Sequence, residues 1–210
     1  MLTIEKFVLI LNLISFYIDI LNGGCPCMKG KLGTLGDNNG FLTCSMYIAQ
    51  KWHKYEEIIP YMTFEAAAID LKENKLCSIL VPAAYPQISE FIMDKELITE
   101  EVFIEQIPSL VCVGKYANVD IGIVDKIYLH QATYKLLGDL GIESEKVELC
   151  YVNSNIEACQ CLLRDDGKNI LAITNKLCAD YFSLNVINVL RNGVFMPWIS
   201  FGKTRKDFNG

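Results

Sequence analysis

The sequence predicts an α/β protein of repeated strand–helix units, doubly wound and divided into two lobes. Three observations predict it. Short apolar runs rich in branched residues recur along the chain, each too short for a helix. Nearly every run is followed by Ser, Thr or Asn and then by a segment of helical period. Crossover helices between successive strands imply mostly parallel pairing.

Residues 78–93, SILVPAAYPQISEFIM, show the unit most clearly. Ile79-Leu80-Val81 reads as a buried strand. Pro82 stops it, because proline has no N–H for a ladder and fixes its own φ. Ala83-Ala84-Tyr85-Pro86 is a turn, and Ile88, Phe91 and Ile92 return at helical spacing. The carboxyl end of such a strand is where open α/β sheets bind ligands.

The remaining elements follow in order. Lys31–Leu35 is a first strand and Gly36-Asp37-Asn38-Asn39-Gly40 a turn by composition. Thr43 or Ser45 caps a helix reaching about Lys54. Ile58–Met62 is a strand, and Thr63 caps a helix over Phe64–Glu73, with Glu65 in its first turn where the helix dipole favours an anion. Val102–Gln106 and Leu110–Gly114 are strands around Ile107-Pro108-Ser109, the second opening a new lobe. Ile127–Leu129 is a strand, His130–Thr133 a junction, and Tyr134–Leu140 a helix ended by Gly141. Val147–Val152, Ile170–Ile173, Asn185–Leu190 and Trp198–Phe201 complete the strands. Asn153-Ser154-Asn155 and Thr174-Asn175 cap the last helices, which run to about Arg164 and Phe182. The division expected is an apolar extension at 1–27, a first lobe from 28–107 plus 187–210, and a second lobe from 108–186.

Composition narrows the function. The 210 residues are 51% hydrophobic and 21% charged, enough for a sizeable core and against disorder. The net charge of −6 and the pI near 5.0 argue against nucleic acid, which needs a basic face. Lys203, Arg205 and Lys206 near the end read as a solvated tail. The nine cysteines contain no CxxC pair, and His53 and His130 stand apart from them, so no metal site is expected. Cys77, Cys112 and Cys178 lie in apolar runs, where a thiol acts as a small hydrophobe. A reduced, cytoplasmic protein is expected.

Residues 7–21, FVLILNLISFYIDIL, are the one membrane-like stretch. They fall short of the roughly 20 residues a spanning helix needs, and Asn12 and Asp19 interrupt them. A buried or amphipathic helix, or an extension ahead of Met28, accounts for them without stable membrane insertion. An export signal is the alternative, with Cys25 after Leu21-Asn22-Gly23-Gly24.

The candidate site residues are the junctions after the strands: Thr43, Ser45, Ala83, Ala84, Asn153, Ser154, Thr174 and Asn175. Helix capping explains each polar one alone. Together they would line one cleft if two lobes face each other. His130 is a candidate acid, base or anion donor, since imidazole titrates near neutrality. Tyr85 could offer a hydroxyl to the crevice.

Three segments resemble the prephenate dehydratase family. Leu35-Gly36 and Thr43 are similar to its opening motif, Val81-Pro82 to the valine-proline of its hinge, and Cys150–Leu163 with Ile170–Leu190 to its second-lobe ending. His130 matches a histidine after a lobe-two strand. The resemblance spans about Lys31 to Lys203. It implies the two-lobed fold of type-II periplasmic binding proteins, a mostly parallel sheet in each lobe, and a ligand between them.

Within that family the closer resemblance is to the non-aromatising prephenate decarboxylases of bacilysin-type antibiotic pathways. It rests on Val81-Pro82, Ala84-Tyr85, Asn153-Ser154, Thr174-Asn175 and the ending Met196-Pro197-Trp198. Dehydratases carry threonine-arginine-phenylalanine at that ending. Met196 and Pro197 side chains donate no hydrogen bond to a departing ring hydroxyl. The resemblance therefore implies a carbon–carbon lyase that releases CO₂ from prephenate and keeps the hydroxyl, giving a dihydro-4-hydroxyphenylpyruvate without cofactor. His130 and Tyr85 would be catalytic, and Met196 and Trp198 would join the junction residues at the substrate. A homodimer is compatible with this reading.

The chain also departs from the pattern. Ala83 stands where a decarboxylase has histidine, and Asp37-Asn38-Asn39-Gly40 replaces the family's proline and glutamate. A solute-binding protein or inactive sensor on the same fold is the alternative function, and a true dehydratase a third.

Overall fold

The computed structural model describes residues 30–36, 42–143 and 145–204. The apolar stretch at 7–21, Cys25, the loop at 37–40 and the basic residues Arg205 and Lys206 lie outside the described residues.

Among the described residues, ten strands form two five-stranded mixed sheets. The first lobe contains β1 (Lys31–Leu35), α1 (Cys44–Trp52), β2 (Glu57–Tyr61), α2 (Phe64–Lys72), β3 (Ser78–Pro82), α3 (Ile88–Met93) and β4 (Leu97–Gln106). The second contains β5 (Leu110–Gly114), β6 (Lys126–His130), β7 (Glu148–Val152), α4 (Asn155–Arg164), β8 (Ile170–Asn175), α5 (Lys176–Tyr181) and β9 (Asn185–Arg191). The chain then returns to the first lobe with β10 (Phe195–Lys203). Strand orders are β2-β1-β3-β10-β4 and β7-β6-β8-β5-β9.

In each sheet one strand runs against its neighbours: β10 pairs antiparallel with β3 and β4, and β5 with β8 and β9. These are the strands that follow a lobe crossing, so they arrive without a crossover helix to turn them round. Residue 187, where the sequence suggested a return to the first lobe, lies inside β9. The pairing of β9 with β5 keeps the chain in the second sheet until after Arg191.

Alternation along the strands explains the layering. Ile79 and Val81 face a core built with Phe64, Ala67 and Leu71 of α2, whereas Leu80 faces the opposite core with Ile48 and Ala49 of α1 and Trp198 of β10. The second sheet repeats the plan. Val111 and Val113 pack with Ile156, Cys159 and Cys178 on one face, while Cys112 packs with Leu137 and Leu140 on the other. Strands covered on both faces read as continuous apolar runs, which is how they appear in the sequence.

Several expected elements differ, and β4 begins at Leu97 rather than Val102. Residues 131–140 form 3₁₀ rather than α-helical turns. Interior Gly138 and branched Thr133 weaken α-helix there. β10 extends to Phe195, although Pro197 would ordinarily bar a central strand. Its ladder with β3 ends at Trp198 opposite Pro82, so the missing N–H falls beside the Ala83 turn rather than in the ladder.

Two connections join the lobes, and they brace one another. The Ile107 N–H donates to Val194 O at 3.0 Å, and Ser109 Oγ contacts Asn192 Oδ1 at 3.2 Å. Gly193 between them has φ +83°, and a Cβ there would lie 2.4 Å from Gln106 Nε2. Among the described residues, no helix is long and apolar enough to cross a membrane.

Candidate ligand cleft between the lobes

Each helix that faces the opposite lobe starts from a cap written into the sequence. Thr43 Oγ1 accepts from Met46 N at 3.1 Å and donates to Leu35 O at 2.8 Å. Ser154 Oγ accepts from Glu157 N at 3.1 Å, while Glu157 reaches back to Asn153 N at 2.8 Å. Asn175 Oδ1 accepts from Cys178 N at 2.8 Å. These bonds satisfy helix amides that lack a partner in their own turn.

The caps also carry the contact between lobes. Asn175 Nδ2 donates to Leu42 O at 2.8 Å, and Cys178 Sγ approaches the same carbonyl at 3.4 Å. Asn155 Nδ2 and Asn175 Nδ2 lie 3.8 and 3.9 Å from Cys44 Sγ. The Leu42 side chain packs on the second-lobe core of Ile156, Cys159 and Cys178. Three strand-to-helix junctions, after β1, β7 and β8, therefore meet at the carboxyl edges of the two sheets.

Behind this contact the polar groups are linked. Thr174 Oγ1 donates to Asn155 O at 2.9 Å, and Cys159 Sγ lies 3.3 Å from Thr174 Oγ1. Thr174 and Asn175 are fully buried. Burial pushes the Cys44 thiol up to about 11, opposed by its bond from Asn175. Ser45 is buried in the first turn of α1, and Asn153 is exposed.

The first-lobe candidates form a second group. Ala83 N donates to Pro197 O at 2.9 Å, and Trp198 stands opposite Pro82. Residues far apart in sequence, 82–83 and 197–198, are thus strand neighbours. Ala84 is exposed in the turn. Met196 packs on the core that contains Ile48 and Leu80, as do Cys44 and Tyr47. Trp198 is fully buried, and its Nε1–H has no hydrogen-bond partner among the described residues.

His130 and Tyr85 both have local partners. His130 ends β6, and its Nδ1 accepts from Ala132 N at 3.1 Å. That bond requires an unprotonated Nδ1. Burial lowers the His130 pKa, which favours the same neutral form. Tyr85 Oη donates to Glu65 Oε1 at 2.6 Å, and its ring packs edge-on against Phe64. Burial, and then the Glu65 bond, raise the Tyr85 pKa.

Sequence reasoning missed Leu42, Cys44, Asn155, Cys159 and Cys178 as cleft residues. Adjacency to the caps was the available signal, but a cysteine in an apolar run gives none of its own. Among the described residues, no cluster of three or more His, Cys, Asp or Glu could hold a metal ion.

The fold is that of prephenate dehydratases and type-II periplasmic binding proteins. The chain superposes on a prephenate dehydratase from Arthrobacter aurescens in complex with L-Phe with a TM-score of 0.61 and 16% identity, covering 83% of this chain and 61% of that one. A prephenate dehydratase from Staphylococcus aureus gives 0.59 at 12% identity, covering 84% and 67%. The methionine-binding protein MetQ gives 0.54 at 13% identity, covering 85% and 84%. Identities this low establish the fold alone. No protein-family model and no curated protein matches the chain.

Proposed function

We propose that the chain binds a small carboxylate-bearing molecule, of amino-acid or keto-acid type, between its lobes. One observation carries the reading. The Leu42 carbonyl oxygen, an acceptor, already lies against Asn175 Nδ2 and Cys178 Sγ at the meeting point of three capped junctions. A ligand carboxylate offers the same acceptor chemistry and would take the place of that carbonyl. The groups reaching across are amides and a thiol, all neutral. They suit one carboxylate better than a dianion, and helix N-termini add favourable potential. Titration calorimetry with L-Phe, L-Met, phenylpyruvate and prephenate tests this. Saturable heat with at least one of them is expected, and a flat response to all four would refute the reading.

A second reading is supported by the neighbourhood of Ala83, Pro197 and Trp198. It joins two of the segments on which the resemblance to prephenate decarboxylases rests. In this reading Thr43, Ser154, Thr174 and Asn175 hold the substrate, and Met196 offers no proton to the ring hydroxyl. CO₂ leaves, and His130 or Tyr85 orients the proton that reaches the ring carbon. The protein would then act on prephenate in the cytoplasm. Nuclear magnetic resonance of prephenate incubated with the protein separates the outcomes. Decarboxylated product with the hydroxyl retained is expected, whereas phenylpyruvate indicates a dehydratase. Decay at the spontaneous rate removes the enzymatic reading and leaves the binding one standing.

A further inference from the structure

β4 ends the first sheet, and among the described residues no strand pairs with its outer edge. An open edge is a template for another chain unless something blunts it. The other edges are blunted. β2 carries Pro60, β7 is only five residues long, and β9 meets β5 through two register shifts. β4 is ten residues long and pairs with β10 without a shift from Glu101 to Gln106.

The ladder fixes which backbone groups point outward. Ala83 N donates to Pro197 O, so Pro197 turns its main chain toward β3. Met196 and Trp198 therefore turn toward β4, and their partners Glu105 and Phe103 turn back. The N–H and C=O of Val102 and Ile104 are left facing out of the sheet. Gln106 has the same parity, and its N–H is taken by the Glu105 carboxylate.

The side chains beside that edge are apolar and uncovered. Ile104 lies opposite Pro197, with Phe195 diagonal to it and Val102 two residues away on the same face. Val102, Ile104 and Phe195 are 59%, 67% and 69% exposed. A contiguous patch of this kind marks an interaction surface. Its sequence also selects the occupant. Glu101-Val102-Phe103-Ile104-Glu105 has the same acid–apolar–acid pattern read in either direction from Phe103.

We propose that this face pairs with a second copy of the chain, β4 against β4, about a two-fold axis at Phe103. Val102 then lies opposite the partner's Ile104, and Ile104 opposite the partner's Val102. Those pairs exchange the outward N–H and C=O groups, and the two first-lobe sheets become one. On the other face Glu101 falls opposite the partner's Glu105, where like charges would repel. Each carboxylate brings its own counter-ion. Lys51 Nζ lies 2.7 Å from Glu105 Oε1, and Lys54 is bonded to Glu101. The contact buries on the order of 1,000 Å² in total, near the lower bound for a specific interface, so the dimer is reversible. The inference does not rest on which ligand the cleft takes.

Sedimentation velocity of the full chain over a concentration series tests this. A monomer–dimer equilibrium is expected. Ile104→Lys, at an exposed position, should leave only monomer with unchanged far-ultraviolet circular dichroism. Ile104→Pro deletes an outward N–H while sparing the β10 ladder, and it should also abolish the dimer. Phe103→Cys should give an intermolecular disulfide at that position under mild oxidation, mapped by fragmentation mass spectrometry. Lys51→Met with Lys54→Met should weaken the dimer, and added salt should restore part of the loss. A monomer at every concentration would overturn the proposal. So would a dimer that survives Ile104→Lys, or one that Phe103→Cys fails to cross-link.

Discussion

Asn175 holds both ends of the inter-lobe contact: its Oδ1 caps α5 through Cys178 N, and its Nδ2 reaches Leu42 O at 2.8 Å. One side chain thus couples the start of a helix to the closure of the molecule. Substitutions can separate these roles. Asn175→Ala loses both and should cost about 1–3 kcal/mol in urea denaturation. Asn175→Asp keeps the cap oxygen but sets a carboxylate against the Leu42 carbonyl. Burying that charge against an acceptor should cost at least as much as Asn175→Ala while widening the lobes in small-angle scattering. Compactness equal to the parent's in both variants would show that the Asn175–Leu42 bond does not fasten the lobes.

Trp198 carries a buried indole N–H without a partner among the described residues. Trp198→Phe removes that orphan donor along with some volume, so the two effects oppose each other. A loss below about 2 kcal/mol is expected, against about 3–5 kcal/mol for Trp198→Ala. Thermal melts of both variants provide the comparison.

The His130 cap gives a pH dependence. Its folded pKa is lowered by burial, so the unfolded chain binds the proton more readily. The stabilisation is complete above the unfolded pKa near 6.5, and it is lost as pH falls from there through the lowered folded value. Protonation also removes the Nδ1 acceptor that Ala132 uses. His130→Asn, which can cap without titrating, should flatten the fall in melting temperature between about pH 7 and 5. A slope unchanged by the substitution would assign the dependence to other groups.

Gly193 lies in the left-handed region within one of the two lobe connections. Gly193→Ala adds about 1–2 kcal/mol of backbone strain and displaces the Gln106 amide. The expected result is a lower melting temperature and a changed affinity for whichever ligand calorimetry identifies. A lower melting temperature with unaltered affinity would mean that the connection does not govern closure.

Tyr85→Phe removes the hydroxyl that donates to Glu65. A loss of about 0.5–1.5 kcal/mol is expected from the hydrogen bond alone. If prephenate is consumed, a fall in kcat in this variant, against a parent-like value in Glu65→Gln, would tie the hydroxyl to chemistry.

The sequence was most informative where one rule acted alone. Ile79-Leu80-Val81 ended by Pro82 is a strand of the expected extent because a buried run and a proline agree. Thr43, Thr63, Ser154 and Asn175 all cap, because each side chain supplies an acceptor where helix amides need one. Residues 131–140 were less legible, since the apolar spacing of Leu136, Leu137 and Leu140 suits either kind of helix. The lobe boundary was illegible, because nothing in Asn185–Arg191 says which sheet its edge will join. The Leu42 contact was equally hidden: a main-chain oxygen leaves no mark in a sequence.

The position of β10 between β3 and β4 has a consequence for synthesis. Residues 110–191 form an uninterrupted stretch of chain, so their sheet can assemble as soon as they emerge from the ribosome. The earlier-made half must wait with a gap between two of its strands, its apolar faces unsealed, until Phe195–Lys203 arrives. The lobe translated first is therefore the one completed last, and a chaperone acting during translation would find its binding surface there.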